Sequence, residues 1–329
     1  MLDKVKKYSV GIWALKGCAD RFVPGGYEGE IFSTEEATRK VAKIEAIKAV
    51  EFTSTDFDDS PPEKISSLLK ENNLRVAGIL VNTFSSKWKL GSLSNQDEDL
   101  RNETIEEVRR TVKISDKLGC DDITLWLGSD GFDYPFQVDY QKQLTLLLGT
   151  IGKLAEEFPN KRFALEYKLK EPRKYLFISS AMKALWLTKK LGKDNVGVLV
   201  DFGHSLMSKE NPAEVISILG EEKKLFGIHL NDTYREWDDD LVVGSVNLWD
   251  TLEFIYYLDR IAYEGWLSFD IFPFRMDTSR AVELCIRSTD NLIKLAEKID
   301  KQKLADAQRS MRGENSLAVI QEILESKVF

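Results

Sequence analysis

The stretch Val196-Gly-Val-Leu-Val-Asp201, followed by Leu225-Phe-Gly-Ile-His229-Leu230, indicates the fold class of this protein. Each is a short run of apolar and β-branched residues, and a segment of helical period at 211–220 lies between them. Strands that are apolar along almost their whole length are typical of a parallel sheet buried on both faces. A strand, a helix and a second strand in this order therefore predict one unit of an α/β fold.

The same unit recurs along the chain. Further strands are predicted at Ser9–Trp13, Ala49–Thr53, Arg75–Val81, Ile123–Leu127, Arg162–Tyr167 and Trp266–Phe272. The other segments of helical period lie at 34–46, 62–72, 103–118, 137–158, 179–191, 249–262 and 277–299. Eight strand–helix units predict a (β/α)8 TIM barrel that occupies residues 1–299 as a catalytic domain.

Residues 300–329 follow the eighth helix and are predicted to form a C-terminal helical extension. Two amphipathic segments, Gln302–Met311 and Ser316–Lys327, are separated by Arg312-Gly313-Glu314. The extension is either a flap on its own barrel or an arm that embraces a neighbouring subunit. A homo-oligomer, either a dimer or a tetramer, is the expected assembly.

Composition argues against several classes of partner. A net charge of −8 and a pI near 5.2 oppose nucleic-acid binding, which needs concentrated Lys and Arg. The cysteines Cys18, Cys120 and Cys285 are scattered and form no CxxC pair, which favours a reduced compartment. No stretch resembles a signal peptide or is apolar enough to cross a bilayer. We therefore expect a cytoplasmic protein with neither nucleic-acid nor membrane partners.

Charged residues stand inside or at the ends of four consecutive predicted strands. Glu166, Asp201 and Asp270 occupy positions that are costly for a charge unless it is paired or bound to a cation. Polar groups at the carboxyl ends of barrel strands point into one site, so these three can converge with His229. A site of carboxylates and one imidazole suits Mn²⁺, Mg²⁺ or Co²⁺, with Zn²⁺ also acceptable. The alternative is a set of buried ion pairs with Lys168 and Arg173.

A second group of candidate ligands surrounds the other histidine. The chain has only two histidines, and His204 lies three residues after Asp201. In an extended loop after the seventh strand, Asp238 and Asp240 face the same side while Asp239 points away. A second divalent ion held by His204, Asp238 and Asp240 could share Asp201 with the first. The alternative for this acidic run is an ordinary solvated loop.

Other residues are candidates for contacts with a substrate. Lys168 lies two positions after Glu166, so both side chains can point the same way, and an ammonium group there can polarise a carbonyl. Trp126 and Phe84 end or follow predicted strands, where aromatic rings can hold the CH face of a sugar. They are equally typical of barrel core. We add Asn82 and Trp13 to the candidate substrate-binding residues, and name Lys168, Asp238 and His204 as catalytic candidates.

Several long motifs resemble the xylose isomerase-like TIM-barrel superfamily, with a pattern closest to that of L-rhamnose isomerase. The similarity runs from about residue 8 to residue 297. The motifs are Glu166-Tyr-Lys-Leu-Lys-Glu-Pro-Arg173, Leu125-Trp126-Leu-Gly128-Ser-Asp-Gly131-Phe-Asp-Tyr134-Pro135, Asn82-Thr-Phe84 with Lys89-Leu-Gly91, and Trp237-Asp-Asp-Asp240.

The resemblance implies two divalent ions, with Mn²⁺ expected, and interconversion of an aldose and a ketose by a metal-assisted hydride shift between C1 and C2. The family's lysine beside the first sugar oxygen corresponds to Lys168, and its wall tryptophan to Trp126. The implied ligands of one metal are Glu166, Asp201, His229 and Asp270. The implied ligands of the other are His204, Asp238 and Asp240, with Asp201 shared.

One feature departs from the family pattern. Xylose and rhamnose isomerases have a histidine near the end of an early strand that is thought to assist opening of the sugar ring. The matching region here is Glu51-Phe-Thr53-Ser54-Thr55-Asp56, which contains no histidine. Ring opening must therefore use Asp56, a water molecule or no assisting group.

Three other functions stay open at this point. A ketose 3-epimerase of the same superfamily needs one metal and two Glu bases, whereas Asp270 is one methylene shorter and the group around His204 would have no role. A nuclease like those of the endonuclease IV branch would have more histidine ligands, and the net negative charge of this chain argues against DNA binding. A carbohydrate-binding protein without catalysis would not need so many candidate ligands.

Overall fold

The computed structural model describes residues 7–325, and its core is a closed barrel of eight parallel strands. These residues form ten strands, and the barrel order is β1-β10-β9-β8-β6-β4-β3-β2. β5 and β7 pair with each other in a separate antiparallel sheet. The strands are β1 (Tyr8–Gly11), β2 (Ile47–Thr53), β3 (Arg75–Leu80), β4 (Asp122–Trp126), β5 (Gly131–Phe132), β6 (Arg162–Glu166), β7 (Tyr175–Leu176), β8 (Val196–Asp201), β9 (Leu225–Leu230) and β10 (Leu267–Phe269).

Helices follow the barrel strands and pack around them. Three short 3₁₀ helices lie at Ile12–Leu15, Ser54–Phe57 and Ser86–Trp88. The α-helices are α1 (Thr34–Ala42), α2 (Pro62–Glu71), α3 (Glu98–Leu118), α4 (Tyr140–Glu157), α5 (Ala181–Leu191), α6 (Phe202–Met207), α7 (Pro212–Glu221), α8 (Leu248–Arg260), α9 (Thr278–Lys298), α10 (Lys301–Arg309) and α11 (Gly313–Glu325).

The predicted (β/α)8 TIM barrel is confirmed. Every residue of β8 is buried, as expected for a strand with helices on one side and the barrel interior on the other. The strand-eight prediction extended too far, because β10 ends at Phe269 and Asp270 lies just beyond it. The short helix α6 and the sheet of β5 and β7 were not predicted, since elements of two to six residues carry too few positions to show a period.

The C-terminal helices α10 and α11 pack on the barrel of their own chain. Leu304, Val319 and Ile323 are buried in the same apolar cluster as the barrel residues. A groove of about 520 Å³ runs between these helices and α8. The division at residue 299 and the arm to a neighbouring subunit stay predictions, and the last two residues of the predicted helix Ser316–Lys327 lie outside the described part of the chain. No helix within residues 7–325 is long and apolar enough to cross a membrane.

Candidate active site

A cavity of about 1000 Å³ opens at the carboxyl ends of the barrel strands. Parallel strands direct their carboxyl ends to one rim, so side chains distant in sequence meet there. Asp201 is fully buried and is hydrogen-bonded to the groups around the cavity. The predicted residues that line the cavity are Trp13, Phe84, Trp126, Glu166, Lys168, His204, His229, Asp238, Asp240 and Asp270.

Four ligand groups from consecutive barrel strands meet at one point. One ligand atom from each of Glu166, Asp201, His229 and Asp270 lies within 4.8 Å of the others. Nδ1 of His229 is 3.1 Å from Oδ2 of Asp270 and 3.5 Å from Oε1 of Glu166. Glu166 and Asp201 are the last residues of β6 and β8, which explains why their carboxylates reach the rim together.

The orientation of the His229 ring fits a cation at this point. Its Nε2 atom is 2.9 Å from Oε2 of Glu51, while its Nδ1 atom is buried and makes no hydrogen bond with a described residue. If Nε2 carries the proton, the lone pair on Nδ1 faces carboxylate oxygens. That arrangement is repulsive unless a proton on Nδ1 or a cation lies between them. Burial lowers the pKa of His229, but the charges of Glu51 and Glu166 raise it well above its usual value. The donor set of three carboxylates and one imidazole is suited to a divalent metal ion.

A second group of ligands begins at the short helix α6. The carboxylate of Asp201 caps this helix by accepting a hydrogen bond of 2.8 Å from the backbone N–H of His204. The cap places the His204 ring beside Asp238, with 3.1 Å between Nε2 and Oδ2. Ligand atoms of Asp201, His204 and Asp238 lie within 4.8 Å of one another. The two groups of ligands therefore share Asp201.

Asp240 lines the cavity, but the structure does not group it with the second set of ligands. Its Oδ1 atom accepts a hydrogen bond of 3.2 Å from Asn231, which also donates one of 2.8 Å to Asp201. The backbone of Asp240 is left-handed, with φ of +48°, so the loop is not the extended strand that the sequence prediction assumed. The carboxylate of Asp239 accepts a 2.7 Å hydrogen bond from the backbone N–H of Tyr234.

Lys168 extends into the cavity between two acidic side chains. Its Nζ atom is 2.6 Å from Oδ2 of Asp238 and 2.5 Å from Oε2 of Glu171. Burial lowers the pKa of Lys168, but the charges of Asp238 and Glu171 more than reverse this, so its pKa is raised above its usual value. The side chain is therefore an ammonium group at neutral pH, and it lies 5.1 Å from the ring centroid of Trp126.

The aromatic candidates line the cavity. The rings of Phe84 and Trp126 pack at a centroid distance of 4.8 Å. Trp13 lines the cavity and also donates a hydrogen bond of 2.7 Å from Nε1 to Asp270. Asn82 is not among the residues that line the cavity, and its part in substrate binding stays a prediction. Its backbone carbonyl instead accepts a hydrogen bond of 2.8 Å from Trp88.

The pKa values around the cavity reflect an excess of buried carboxylates. Burial raises the pKa of Asp201 to about 7, although the charge of His204 opposes this. Burial lowers the pKa of His204, but the carboxylates of Asp201 and Asp238 raise it more strongly, to about 9. Burial, with the charge of Asp238, raises the pKa of Asp240 well above its usual range. These shifts result from burial together with crowded negative charge, and divalent cations would offset both effects.

Sequence reasoning missed three polar residues that hold the site together. Glu51 contacts His229, Asn231 joins Asp201 to Asp240, and Glu171 contacts Lys168. A usable signal existed for Glu51, because it is a charged residue inside the apolar strand β2. The same criterion identified Glu166 and Asp201.

Asp56, the carboxylate considered for ring opening, is not among the residues that line the cavity. It forms an ion pair with Lys16 and accepts a hydrogen bond of 2.7 Å from the backbone N–H of Thr53. The residues of this segment that do line the cavity are Glu51, Thr53 and Thr55. The geometry thus assigns Asp56 to the 3₁₀ helix at Ser54–Phe57 and not to the cavity surface.

Comparison with known proteins places this site in a family. The sequence model of the xylose isomerase-like TIM barrel matches residues 39–298. The chain belongs to the xylose isomerase-like TIM-barrel family. The resemblance inferred from the sequence motifs is therefore confirmed at the level of the family.

Individual members of the xylose isomerase-like family are similar over much of the chain. A probable sugar isomerase of Mesorhizobium japonicum is 28% identical over 74% of this chain and 59% of the relative. A xylose isomerase of Rhizobium etli is 26% identical over 92% of this chain and 82% of the relative. A solved structure of L-ribulose 3-epimerase has a TM-score of 0.70 at 14% identity, over 89% of this chain and 96% of that chain, which shows the shared fold.

The chain is shorter than several of these family members. It spans about half to three-fifths of the length of the first two curated relatives that it matches.

Proposed function

We propose that this protein is a metal-dependent sugar isomerase that interconverts an aldose and a ketose by a 1,2-hydride shift. The observation that carries this proposal is the pair of ligand groups that share Asp201, with the Lys168 ammonium directly beside them. A reaction that moves negative charge between neighbouring oxygens needs positive charge at two adjacent points. The names of the sequence relatives support the proposal.

The chain's residues suit two divalent ions, for which we propose Mn²⁺. Glu166, Asp201, His229 and Asp270 would hold the first, and Asp201, His204 and Asp238 the second, with Asp240 as a further proposed ligand. When bound, such ions act as Lewis acids on neighbouring oxygens and lower the pKa of a hydroxyl. The mixture of carboxylate and imidazole donors favours Mn²⁺ over Ca²⁺ or a thiolate-seeking metal.

The protein's own groups position and polarise the sugar. Lys168 donates a hydrogen bond to the carbonyl oxygen of the open-chain sugar, which stabilises the charge that develops there. Asp238 is ionised, because the charges of His204 and Lys168 lower its pKa despite burial. Its Oδ1 atom is buried and has no hydrogen-bond partner among the described residues, so it can accept a hydrogen bond from a sugar hydroxyl.

The walls of the cavity favour a neutral sugar. Trp126 and Phe84 present apolar faces against which the CH groups of a sugar can pack. The carboxylates that surround the cavity repel an anionic substrate, which argues against a sugar phosphate.

The decisive experiment follows the carbon-bound hydrogen in D₂O. Purified protein with Mn²⁺ is incubated with a panel of pentoses, hexoses and deoxyhexoses, and the products are analysed by NMR. We expect aldose–ketose conversion in which the product retains the hydrogen of the substrate. Deuterium appearing at C3 of a ketose, with inversion there, would instead establish a 3-epimerase. No conversion of any sugar, despite bound metal, would reject both activities.

A further inference from the structure

We infer that Glu51 is a positioning residue that fixes the His229 ring for divalent-ion binding. In this arrangement the Glu51 carboxylate accepts the Nε2 proton of His229 and so leaves the Nδ1 lone pair facing the ligand carboxylates. The inference rests on the metal-binding part of the proposed function. It does not depend on which sugar reaction the protein catalyses.

Glu51 is held on both of its oxygens. Oε2 lies 2.9 Å from Nε2 of His229, and Oε1 accepts a hydrogen bond from the hydroxyl of Ser268. Ser268 and His229 are register partners on the adjacent strands β10 and β9. Glu51 lies across the barrel interior on β2, so three strands fix this contact. The carboxylate therefore has little freedom to rotate away from the imidazole.

The hydrogen bond selects one tautomer of His229. A neutral imidazole has one N–H donor and one lone-pair acceptor. Donation from Nε2 to Glu51 leaves the lone pair on Nδ1, which lies 3.1 Å from Asp270, 3.5 Å from Glu166 and 3.9 Å from Asp201. A metal-binding histidine commonly donates its second N–H to a carboxylate, which orients the ring and increases its basicity.

Burial of the Glu51 carboxylate costs free energy unless hydrogen bonds such as the one from His229 compensate for the loss of water. The residue is only 8% exposed, and no Lys or Arg forms an ion pair with it among the described residues. Its partners there are a histidine and a serine hydroxyl. An apolar residue at this position of β2 would have filled the barrel interior without the cost of burying a charge.

Two substitutions separate the hydrogen bond from the charge. Glu51→Met keeps the length of the side chain but removes the acceptor. Glu51→Gln retains an amide oxygen that can accept from Nε2, while its amide N–H₂ can donate to Ser268. Glu28→Gln is the matched control, because Glu28 is a partly buried carboxylate bound to Lys40 and Thr278, away from the cavity.

The first readout is Mn²⁺ affinity, measured by titration with detection of free Mn²⁺ by EPR. We expect Glu51→Met to weaken the first binding step by roughly 10- to 100-fold, the usual effect of removing the carboxylate behind a metal-binding histidine. Glu51→Gln should lose much less of its affinity for Mn²⁺. Glu28→Gln should bind Mn²⁺ as the wild type does, even if its melting temperature falls.

The second readout is the imidazole NMR spectrum of protein loaded with diamagnetic Mg²⁺. Because the chain has only two histidines, ¹⁵N-histidine labelling produces two sets of ring signals. We expect a slowly exchanging Nε2–H signal for His229 in the wild type and in Glu51→Gln. In Glu51→Met this signal should be lost.

The inference and the proposed function can fail separately. Wild-type Mn²⁺ affinity in Glu51→Met, with the Nε2–H signal unchanged, would overturn the role of Glu51 and leave the isomerase proposal intact. A lower melting temperature alone, without a change in affinity, would reduce Glu51 to a structural residue. If the wild-type protein binds no divalent ion, both proposals are wrong.

Discussion

The neighbours of Lys168 hold its side chain in one position and keep it charged. The residue is 4% exposed, and Asp238 and Glu171 contact its ammonium group. Two fixed acceptors restrict the side chain to one position beside the ligand groups. A preorganised charge of this kind stabilises a developing oxyanion without having to reorient during the reaction.

Replacement of Lys168 therefore tests the proposed reaction at the residue scale. We expect Lys168→Met to lower kcat by about 10²- to 10³-fold, because one donor to the developing charge is lost. Lys161→Met is the matched control. Lys161 is also buried between two carboxylates, at 2.8 Å from Asp116 and 3.0 Å from Asp121, but it precedes β6 at the opposite end of the barrel.

Steady-state kinetics with the sugar identified in the D₂O experiment provide the measurement. The control is expected to lose stability but to keep kcat once folded. If Lys168→Met retained full turnover, the ammonium group would have no part in the chemical step. Equal losses of kcat in both variants would mean that the effect came from destabilisation of the barrel.

The short helix α6 is the element that joins the two groups of candidate ligands. It begins immediately after β8, and Asp201 is at once the last strand residue, the helix cap and the shared ligand group. The backbone N–H of Gly203 donates a hydrogen bond of 2.9 Å to Asn231, which in turn contacts Asp201. The helix is therefore packed against the site so closely that its second residue has no room for a side chain.

Gly203→Ala tests this packing at the scale of the element. An added Cβ would lie 2.9 Å from Oδ1 of Asn231 and 3.3 Å from Oδ1 of Asp201, so one of them must shift. We expect Mn²⁺ affinity to fall by about tenfold or more, because a group that orients a ligand has moved. Isothermal titration calorimetry measures the change.

Gly149→Ala serves as the control for the helical substitution itself. Gly149 lies inside α4, and its added Cβ would meet nothing within 4 Å. Removal of glycine flexibility from an exposed helix position should stabilise the protein by about 0.5–1 kcal/mol and leave Mn²⁺ affinity unchanged. Unaltered affinity in Gly203→Ala would show that Asn231 and Asp201 can shift without cost.

At the scale of the whole molecule, the reactivity of the three cysteine thiols indicates whether the barrel is folded. Cys18, Cys120 and Cys285 are free thiols and all are buried. Burial raises the pKa of each of them to about 12, from an ordinary value of 9.0. The reactive thiolate is therefore a very small fraction of each cysteine at neutral pH. This fraction increases as the pH rises towards the pKa.

The native protein should consequently react very slowly with Ellman's reagent at pH 8. With a pKa near 12, the thiolate fraction is on the order of 10⁻⁴, roughly a thousandfold below that of an exposed thiol. We expect three rapidly reacting thiols per chain only after unfolding in guanidinium chloride. A thiol that reacts within seconds in the native state would contradict the packing described around it.

Much of this protein was determined by its sequence alone. The alternation of apolar runs and helical periods was enough to predict the barrel, because eight repeats of one pattern leave few alternative arrangements. Glu166, Asp201 and His229 were recognised as candidate ligands since polar residues stand out in apolar strands. The parallel topology then requires the carboxyl ends of those strands to meet.

Only the tertiary structure decided which partner each polar group has. Glu51 and His229 are 178 residues apart, and their contact depends on how β2 faces β9 across the barrel. Asp240 turns towards Asn231 because its backbone is left-handed, and Asp56 is occupied by Lys16. Periodicity reports which face of an element is buried. The choice among nearby partners depends on side-chain rotamers and strand register, which arise only once the barrel is closed.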